Sequence, residues 1–361
     1  MLSKAISPLV LGLALILLVV ACAPSAAAPP PAPTTAPAKP AATTAPAQPA
    51  AAPTKAAAEN TAGNFPDKPI TILIPYPAGG SSDVGARILA PLLEKDLGVS
   101  VQVVNKAGAG GQVGWTELAK AKPDGYTIGG INLPHLPAAV VDPERKATFK
   151  QDDIVPLAGQ AVDPTQIGVR ADGPYKTLKD LVDDAKKKPG QIPVAIVGIL
   201  NDDEVGYLLF SDAAKVTMRP VRFDGAAPAL TALLGGHVEV NFCTMGDNYA
   251  QYKSGKLRPL ATLHTERTKF YPDVPTIKEL GYPELLSSST RGFAVPKGVP
   301  EPIMKKLEAA ILKAETNPEH IAKIEEAGQP AAIVGRQEFT KWYNDSFETI
   351  KKWLDKRIKD Q

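Results

Sequence analysis

Residues 69–83 read PITILIPYPAGGSSD. This is a β-branched run closed by a proline, followed by a loop of small residues ending on an acid. Ile70, Thr71, Ile72, Leu73 and Ile74 are apolar at nearly every position, as in a strand buried on both faces. After the loop, Val84, Ile88, Leu89, Leu92 and Leu93 recur at helical spacing as far as Leu97, where Gly98 supplies a stop. Residues 99–105 (VSVQVVN) read as a second strand, 108–121 as a glycine turn and a helix, and 126–131 as a third strand. Strand, helix, strand, helix, strand opens a doubly wound α/β lobe with a parallel core.

The same grammar restarts further on. Strands are expected at 166–169, 194–197, 219–223 and 238–242, with helices at 178–188, 205–214 and 227–234. A further strand at 292–295 precedes two or three amphipathic helices between 302 and 358. The expected architecture is α/β and two-lobed, with crossing strands and a central ligand cleft. Residues 64–163 plus 289–361 would make one lobe and 164–288 the other.

The first 63 residues have a different character. Lys4 precedes an apolar run at 9–20 (LVLGLALILLVV), only 12 residues long. A spanning helix needs about 20 such residues, so 1–22 read as an export signal. The run ends Val19-Val20-Ala21-Cys22, which resembles a bacterial lipobox with Cys22 as the lipidated residue; a plain secretory signal cut near Ala28 is the alternative. Residues 23–63 hold 18 Ala and 10 Pro in 41 positions. Such a stretch cannot bury a core. As a Pro-rich tether it would hold the body up to roughly 100 Å from its anchor.

Charge and cysteine usage exclude several classes. Setting aside Lys4, Lys39, Lys55 and Glu59 leaves 37 basic and 37 acidic residues in the body. A neutral body argues against nucleic acid, which needs a clustered basic surface, and against a polybasic membrane skin. Cys22 and Cys243 form no C-x-x-C pair, and the four histidines, His135, His237, His264 and His320, show no metal-ligand spacing. No cofactor or metal site is expected. Gly108-Ala109-Gly110-Gly111-Gln112-Val113-Gly114 departs from G-x-G-x-x-G and reads as a structural turn. There is no G-x-S-x-G, and Ser81 has no identifiable His partner in the sequence. Cys243, read as exposed, would need a base beside it to act as a nucleophile. His237 and Trp115 read as packing or surface residues.

The loop after the first strand can carry chemistry. Tyr76, Pro77, Ala78, Gly79 and Gly80 turn the backbone tightly, Ser81 or Ser82 can cap the next helix, and Asp83 lies in its first turn. Free N–H groups at a helix start bind carboxylate or phosphate. The dipole alone supplies about 0.3–1 kcal/mol, so hydrogen bonds must do most of the holding. Asp83 could meet an ammonium or a water, or merely compensate the dipole.

The stretch 68–128 (KPITILIPYPAGGSSDVGARILAPLLEKDLGVSVQVVNKAGAGGQVGWTELAKAKPDGYTI) resembles the opening of the Bug family, the periplasmic solute-binding proteins of tripartite tricarboxylate transporters. The PFPAGGxxD-like loop is matched by 75–83, the N-x-x-GAGG-like turn by 105–111 and the PDGYT segment by 123–127. Later blocks, GAAPALTALLGG (225–236), PDVPTIKELG (272–281) and FAVPKGVP (293–300), are also similar, in order and at family-like spacing. The resemblance implies a two-lobed, Venus-flytrap binding protein that closes on a small carboxylate. It implies two gripping loops, one from each lobe: 76–83 and a second at 198–204.

The second loop departs from the pattern. Relatives usually carry small polar residues and a His, whereas this chain reads Gly198-Ile199-Leu200-Asn201-Asp202-Asp203-Glu204. Asp224 stands where a Lys is common, and Cys243 where an acid or amide is common. Two like charges about 4 Å apart cost about 4 kcal/mol at an effective dielectric of 20. The ligand is therefore expected to bear a cationic group, to be larger and less charged, or to bind with a metal ion. The plain alternative has residues 202–204 starting the next helix and facing water. The expected function is capture of a small carboxylate-type solute and delivery to the membrane permease subunits of a tripartite tricarboxylate-type transporter, with the chain a monomer, exported and lipid-anchored. A sensor feeding a signalling receptor, or an exported enzyme on the same fold, are the alternatives.

Overall fold

The computed structural model describes residues 64–359. The expectations for the export signal, for Cys22 and for the 23–63 tether lie outside the described residues. The first sheet starts with β1 (Ile70–Ile74), which pairs in parallel with β2 (Val101–Asn105) and β3 (Thr127–Leu133). Helix α1 (Ser81–Leu97) links β1 to β2, and α2 (Gln112–Lys120) links β2 to β3. Ala86, Leu89, Ala90 and Leu93 form the buried stripe of α1. Gly98 ends that helix by taking φ +72°, so that its N–H returns to the Glu94 carbonyl at 2.9 Å. The short α3 (His135–Val141) follows β3.

The 17-residue β4 (Ile154–Arg170) then runs from the first sheet into a second. Its residues 154–164 pair antiparallel with β9 (Ser288–Pro296), while 165–170 pair with β7 (Val240–Thr244) and β8 (Leu257–Thr262). The second sheet adds β5 (Pro193–Val197) and β6 (Arg219–Phe223), both parallel to each other. Its helices are α4 (Leu178–Lys187), α5 (Asp202–Ala214), α6 (Ala226–Leu234) and α7 (Met245–Lys253). After β9 come α8 (Glu301–Glu315), α9 (Pro318–Glu326), β10 (Ala331–Val334) and α10 (Arg336–Lys359). The strand order is β2-β1-β3-β9-β4-β7-β5-β6, with β8 and β10 also on β4.

Two main apolar clusters hold these layers. One gathers Ile72, Leu89, Trp115, Leu118, Phe293, Ile311 and Phe339. The other gathers Ile167, Leu181, Val194, Phe210, Val240, Phe242 and Ile277. Fully burying a side chain of this size contributes about 1.5–3 kcal/mol, so each cluster is large enough to stabilise its sheet. Trp115 is thus a packing residue, and its Nε1 donates to the Gly130 carbonyl at 3.2 Å.

Several sequence expectations shift. The strand expected at 166–169 is the far end of β4, and the one at 292–295 is the core of the longer β9. Pro156, Gly159, Pro164 and Gly168 break the apolar pattern of β4, yet partners on both sides keep it extended through two register shifts facing β9. Helix α5 begins at Asp202 rather than 205, which places the three acids in its first turn. Helices α3 and α7 and strands β8 and β10 had no counterpart in the sequence pattern. Among the described residues no helix is long and apolar enough to cross a membrane.

Candidate functional site

A cavity of about 30 Å³ lies where the two sheets face each other. It is lined from the carboxyl ends of strands: Tyr76, Pro77, Gly80, Ser81 and Ser82 follow β1, Asn132 and His135 come from the end of β3 and the start of α3, and Val197 ends β5 with Asp202 and Asp203 opening α5. The turn after β7 contributes Thr244 and Asp247, and β9 contributes Ser289 and Arg291. Ligands in open α/β sheets bind outside the carboxyl ends of strands for this reason: loops and helix starts converge there.

The loop at 76–83 is tied down by its own acid. Asp83 is buried, and it accepts from the Gly79 amide (3.0 Å), Arg87 Nε (3.0 Å) and Asn105 Nδ2 (2.9 Å). Burial alone would raise its pKa, but these bonds outweigh it and hold the carboxyl below the usual range. Asp83 therefore shapes the loop from behind and does not line the cavity. The serines do not cap α1, because Gly80 is its N-cap and no side chain completes the cap. Instead the Ser81 amide donates to Asp247 Oδ1 at 2.6 Å, while Ser82 Oγ donates to Asn132 Oδ1 at 3.2 Å. Tyr76, Pro77, Gly80, Ser81 and Ser82 reach the cavity; Ala78 and Gly79 do not.

The second loop corrects the expectation that its acids face water. Asp202, Asp203 and Glu204 are only 1, 3 and 6 % exposed. Asn201 caps α5 by accepting from the Glu204 amide at 3.0 Å. Asp202 reaches across to the other sheet, where its Oδ1 meets His135 Nε2 at 2.5 Å, while its Oδ2 accepts from Thr165 Oγ1 of its own sheet at 3.1 Å. His135 Nδ1 is in turn 2.7 Å from the Tyr76 hydroxyl. Burial, and then the Asp202 charge, push the Tyr76 phenol well up. Asp203 accepts from the Val197 amide at 3.0 Å; burial first, then neighbouring Asp202, push its carboxyl well up. Glu204 turns away to Arg222 and the Leu200 amide.

The rest of this loop is structural. Leu200 takes φ +54° and is buried, clustering with Ala138 and Ile350, and Ile199 packs on that cluster. Gly198 approaches Gly110 so closely that a Cβ on Gly110 would lie 3.1 Å from the Gly198 Cα. Arg145 spans the junction, donating to the Ala109 carbonyl (2.6 Å) and the Ile199 carbonyl (3.4 Å). Asp224 is exposed and accepts from the Gly110 amide at 3.4 Å. So Gly198, Ile199, Leu200, Asn201 and Asp224 lie outside the cavity, and the glycine turn at 108–114 is where the two halves meet.

Arg291 is the charged lining residue of most consequence among those that sequence reasoning missed, which also include Asn132, Thr244, Asp247 and Ser289. It is 3 % exposed, with Nη1 donating to Asp163 Oδ2 at 2.7 Å and Nη2 to Thr244 Oγ1 at 2.8 Å. Asp247 Oδ2 lies 3.7 Å from Nη2. Burial would lower the Arg291 pKa, but Asp163 and Asp247 more than offset it and keep the guanidinium charged. Asp163, wholly buried, is pushed up to about 6 by burial, which the Arg291 charge only partly counters. A lone Arg between Thr290 and Gly292 in an apolar strand was the available signal, since buried charges must be paired. Cys243 corrects another expectation: it is buried rather than exposed, it does not line the cavity, and burial and then Asp247 push its thiol well up. Such a thiol is no nucleophile. Among the described residues no group of three or more His, Cys, Asp or Glu is placed to hold a metal ion.

Comparison with known proteins bears on this geometry. Residues 85–358 match the model of the family described as tripartite tricarboxylate transporter family receptor. The chain is 32 % identical over 269 residues to protein BugT of Bordetella pertussis, covering 72 % of this chain and 79 % of that one. The solved periplasmic binding protein BugD is 27 % identical, with a TM-score of 0.74 over 81 % of this chain and 98 % of its own. MatC of Rhodopseudomonas palustris with bound malate is also 27 % identical, with a TM-score of 0.73 over 80 % of this chain and 99 % of its own. The fold is thus the two-lobed periplasmic-binding-protein fold, with the cavity in its cleft.

Proposed function

Since the chain belongs to the tripartite tricarboxylate transporter receptor family, we propose that it captures a small carboxylate-type solute between its lobes and delivers it to membrane permease subunits. It is an extracytoplasmic solute-binding protein and not an enzyme. The observation that carries the reading is the set of bonds that close the cavity from both sides, His135 to Asp202 and the Ser81 amide to Asp247. Residues 64–163 with 289–361 form one lobe in this reading, and 164–288 the other. A solute that touches both walls binds the shut form better than the open one, which is the condition for ligand-driven closure. Arg291 is the cationic anchor for the solute's carboxylate. Malate, bound by the MatC relative, is a solute of this class.

Tyr76, His135 and Asp202 form a bonded row, but it ends in a buried phenol whose proton is held tightly. Capture needs no bond to be made or broken. A thermal-shift screen of aliphatic and aromatic carboxylates, amino acids and neutral sugars tests the reading. A carboxylate at 100 times its dissociation constant should stabilise the chain by about 2.7 kcal/mol. Stabilisation by sugars alone would overturn it.

The reading places the protein on the outer face of the cytoplasmic membrane, tethered by lipid on Cys22. Cys22→Ala is expected to move the chain from the membrane fraction to the soluble exported fraction. Unchanged membrane association of that variant would rule the anchor out.

A further inference from the structure

Resting on the solute-binding reading above, we infer that the solute selected by this cleft carries an ammonium group as well as its carboxylate, with Asp203 and Asp247 receiving the ammonium. The cavity wall holds three carboxylates, Asp202, Asp203 and Asp247, against Arg291 and His135. Both basic groups are already engaged. Arg291 Nη1 is 2.7 Å from the buried Asp163 behind it, and His135 Nε2 is 2.5 Å from Asp202. Asp203 has an amide partner but no cation, and Asp247 accepts from the Ser81 amide and Thr244 Oγ1 while sharing Arg291, 3.7 Å away, with Asp163. A dicarboxylate would set a second negative charge against Asp247, whereas an ammonium would pair with both acids and favour the charged form of Asp203, which burial and Asp202 otherwise disfavour.

The unpartnered atoms agree with this polarity. Ser81 Oγ is buried, lines the cavity and has no hydrogen-bond partner. With Asp203 and Asp247 it offers acceptors for the three N–H bonds of an ammonium. Arg291 Nε is a buried donor that also lacks a partner, on a residue lining the same cavity. It is the remaining donor for a carboxylate. One unpartnered hydroxyl, Ser81 Oγ, beside two acids and one unpartnered donor, Arg291 Nε, in one cavity, describe the complement of a molecule with both charges. A 560 Å³ groove shares Ser81 and Asp247 with the cavity, so further space borders these two residues.

The test is calorimetric titration of the full chain with matched pairs that exchange one carboxylate for an ammonium: succinate against γ-aminobutyrate, and adipate against ε-aminocaproate. The amino member of at least one pair is expected to bind about tenfold tighter or better, a difference of 1.4 kcal/mol per tenfold. Asp203→Asn should erase that preference, and a cooperative urea transition shows separately that the variant is folded. Tighter binding of the diacids by the unaltered chain, unchanged in Asp203→Asn, would overturn the inference and leave the solute-binding reading standing. Binding of neither member of either pair would overturn the inference and count against the carboxylate reading as well.

Discussion

Arg291→Ala is expected to lower the unfolding free energy by about 3–5 kcal/mol, the usual cost of leaving one member of a buried ion pair alone. Asp163 has no exposed surface, and its other bonds come from the Gly246 amide at 3.1–3.2 Å. Without the guanidinium its carboxyl must either stay charged in a dry site or take up a proton. Thr244 would also lose the bond from Nη2. In a body of this size the loss corresponds to about 5–8 °C in Tm. Urea unfolding of the variant gives the number directly. The double change Arg291→Met with Asp163→Leu should be less damaging than Arg291→Ala, because it removes both charges rather than stranding one. A midpoint near that of the unaltered chain in Arg291→Ala would mean that water reaches Asp163.

The second large effect is a pH dependence centred on His320. This residue in α9 is fully buried, neither ring nitrogen has a hydrogen-bond partner, and burial pushes its pKa down to about 4. The unfolded chain takes up a proton here near pH 6.5, while the folded chain resists until about pH 4. At neutral pH both states are unprotonated and His320 contributes no pH-linked term. As pH falls from 6.5 to 4 the unfolded state is increasingly favoured, by about 3 kcal/mol at the lower end. Other groups titrate in the same window, so the readout is a difference. The stability of the unaltered chain relative to His320→Leu should be constant above neutrality and fall by about 3 kcal/mol by pH 4. A difference that stays flat would contradict the dry environment.

The opening of the fold was legible because its signals are local. The run at 70–74, the helical stripe through Leu93 and the stop at Gly98 lie within 29 residues of one another. Strand β4 was legible only in part, since two prolines and two glycines interrupt a pattern that partners on both flanks restore. The site divides in the same way. Tyr76, Ser81, Asp202 and Asp203 sit beside strand-to-helix turns that sequence marks plainly. Arg291 and Asp163 are 128 positions apart, and their meeting depends on a bulged antiparallel register that no short window contains. His135 was visible as a residue but not as a partner, because Asp202 comes from the opposite sheet.

The path of β4 and β9 also dictates an order of assembly. As the chain emerges from its amino end, β1 to β3 appear first, but β3 and β4 do not pair with each other; β9 lies between them. That place stays unfilled until residues 288–296 arrive, whereas β5 to β8 and their partner segment of β4 are all present by residue 262. The second sheet can therefore close as a nested unit while the first still waits for its central strand. Contacts between such distant segments cost loop-closure entropy before they return any stability. The strand that carries Arg291 thus arrives after both of the strands it separates, and the binding cleft is completed only when the first sheet is.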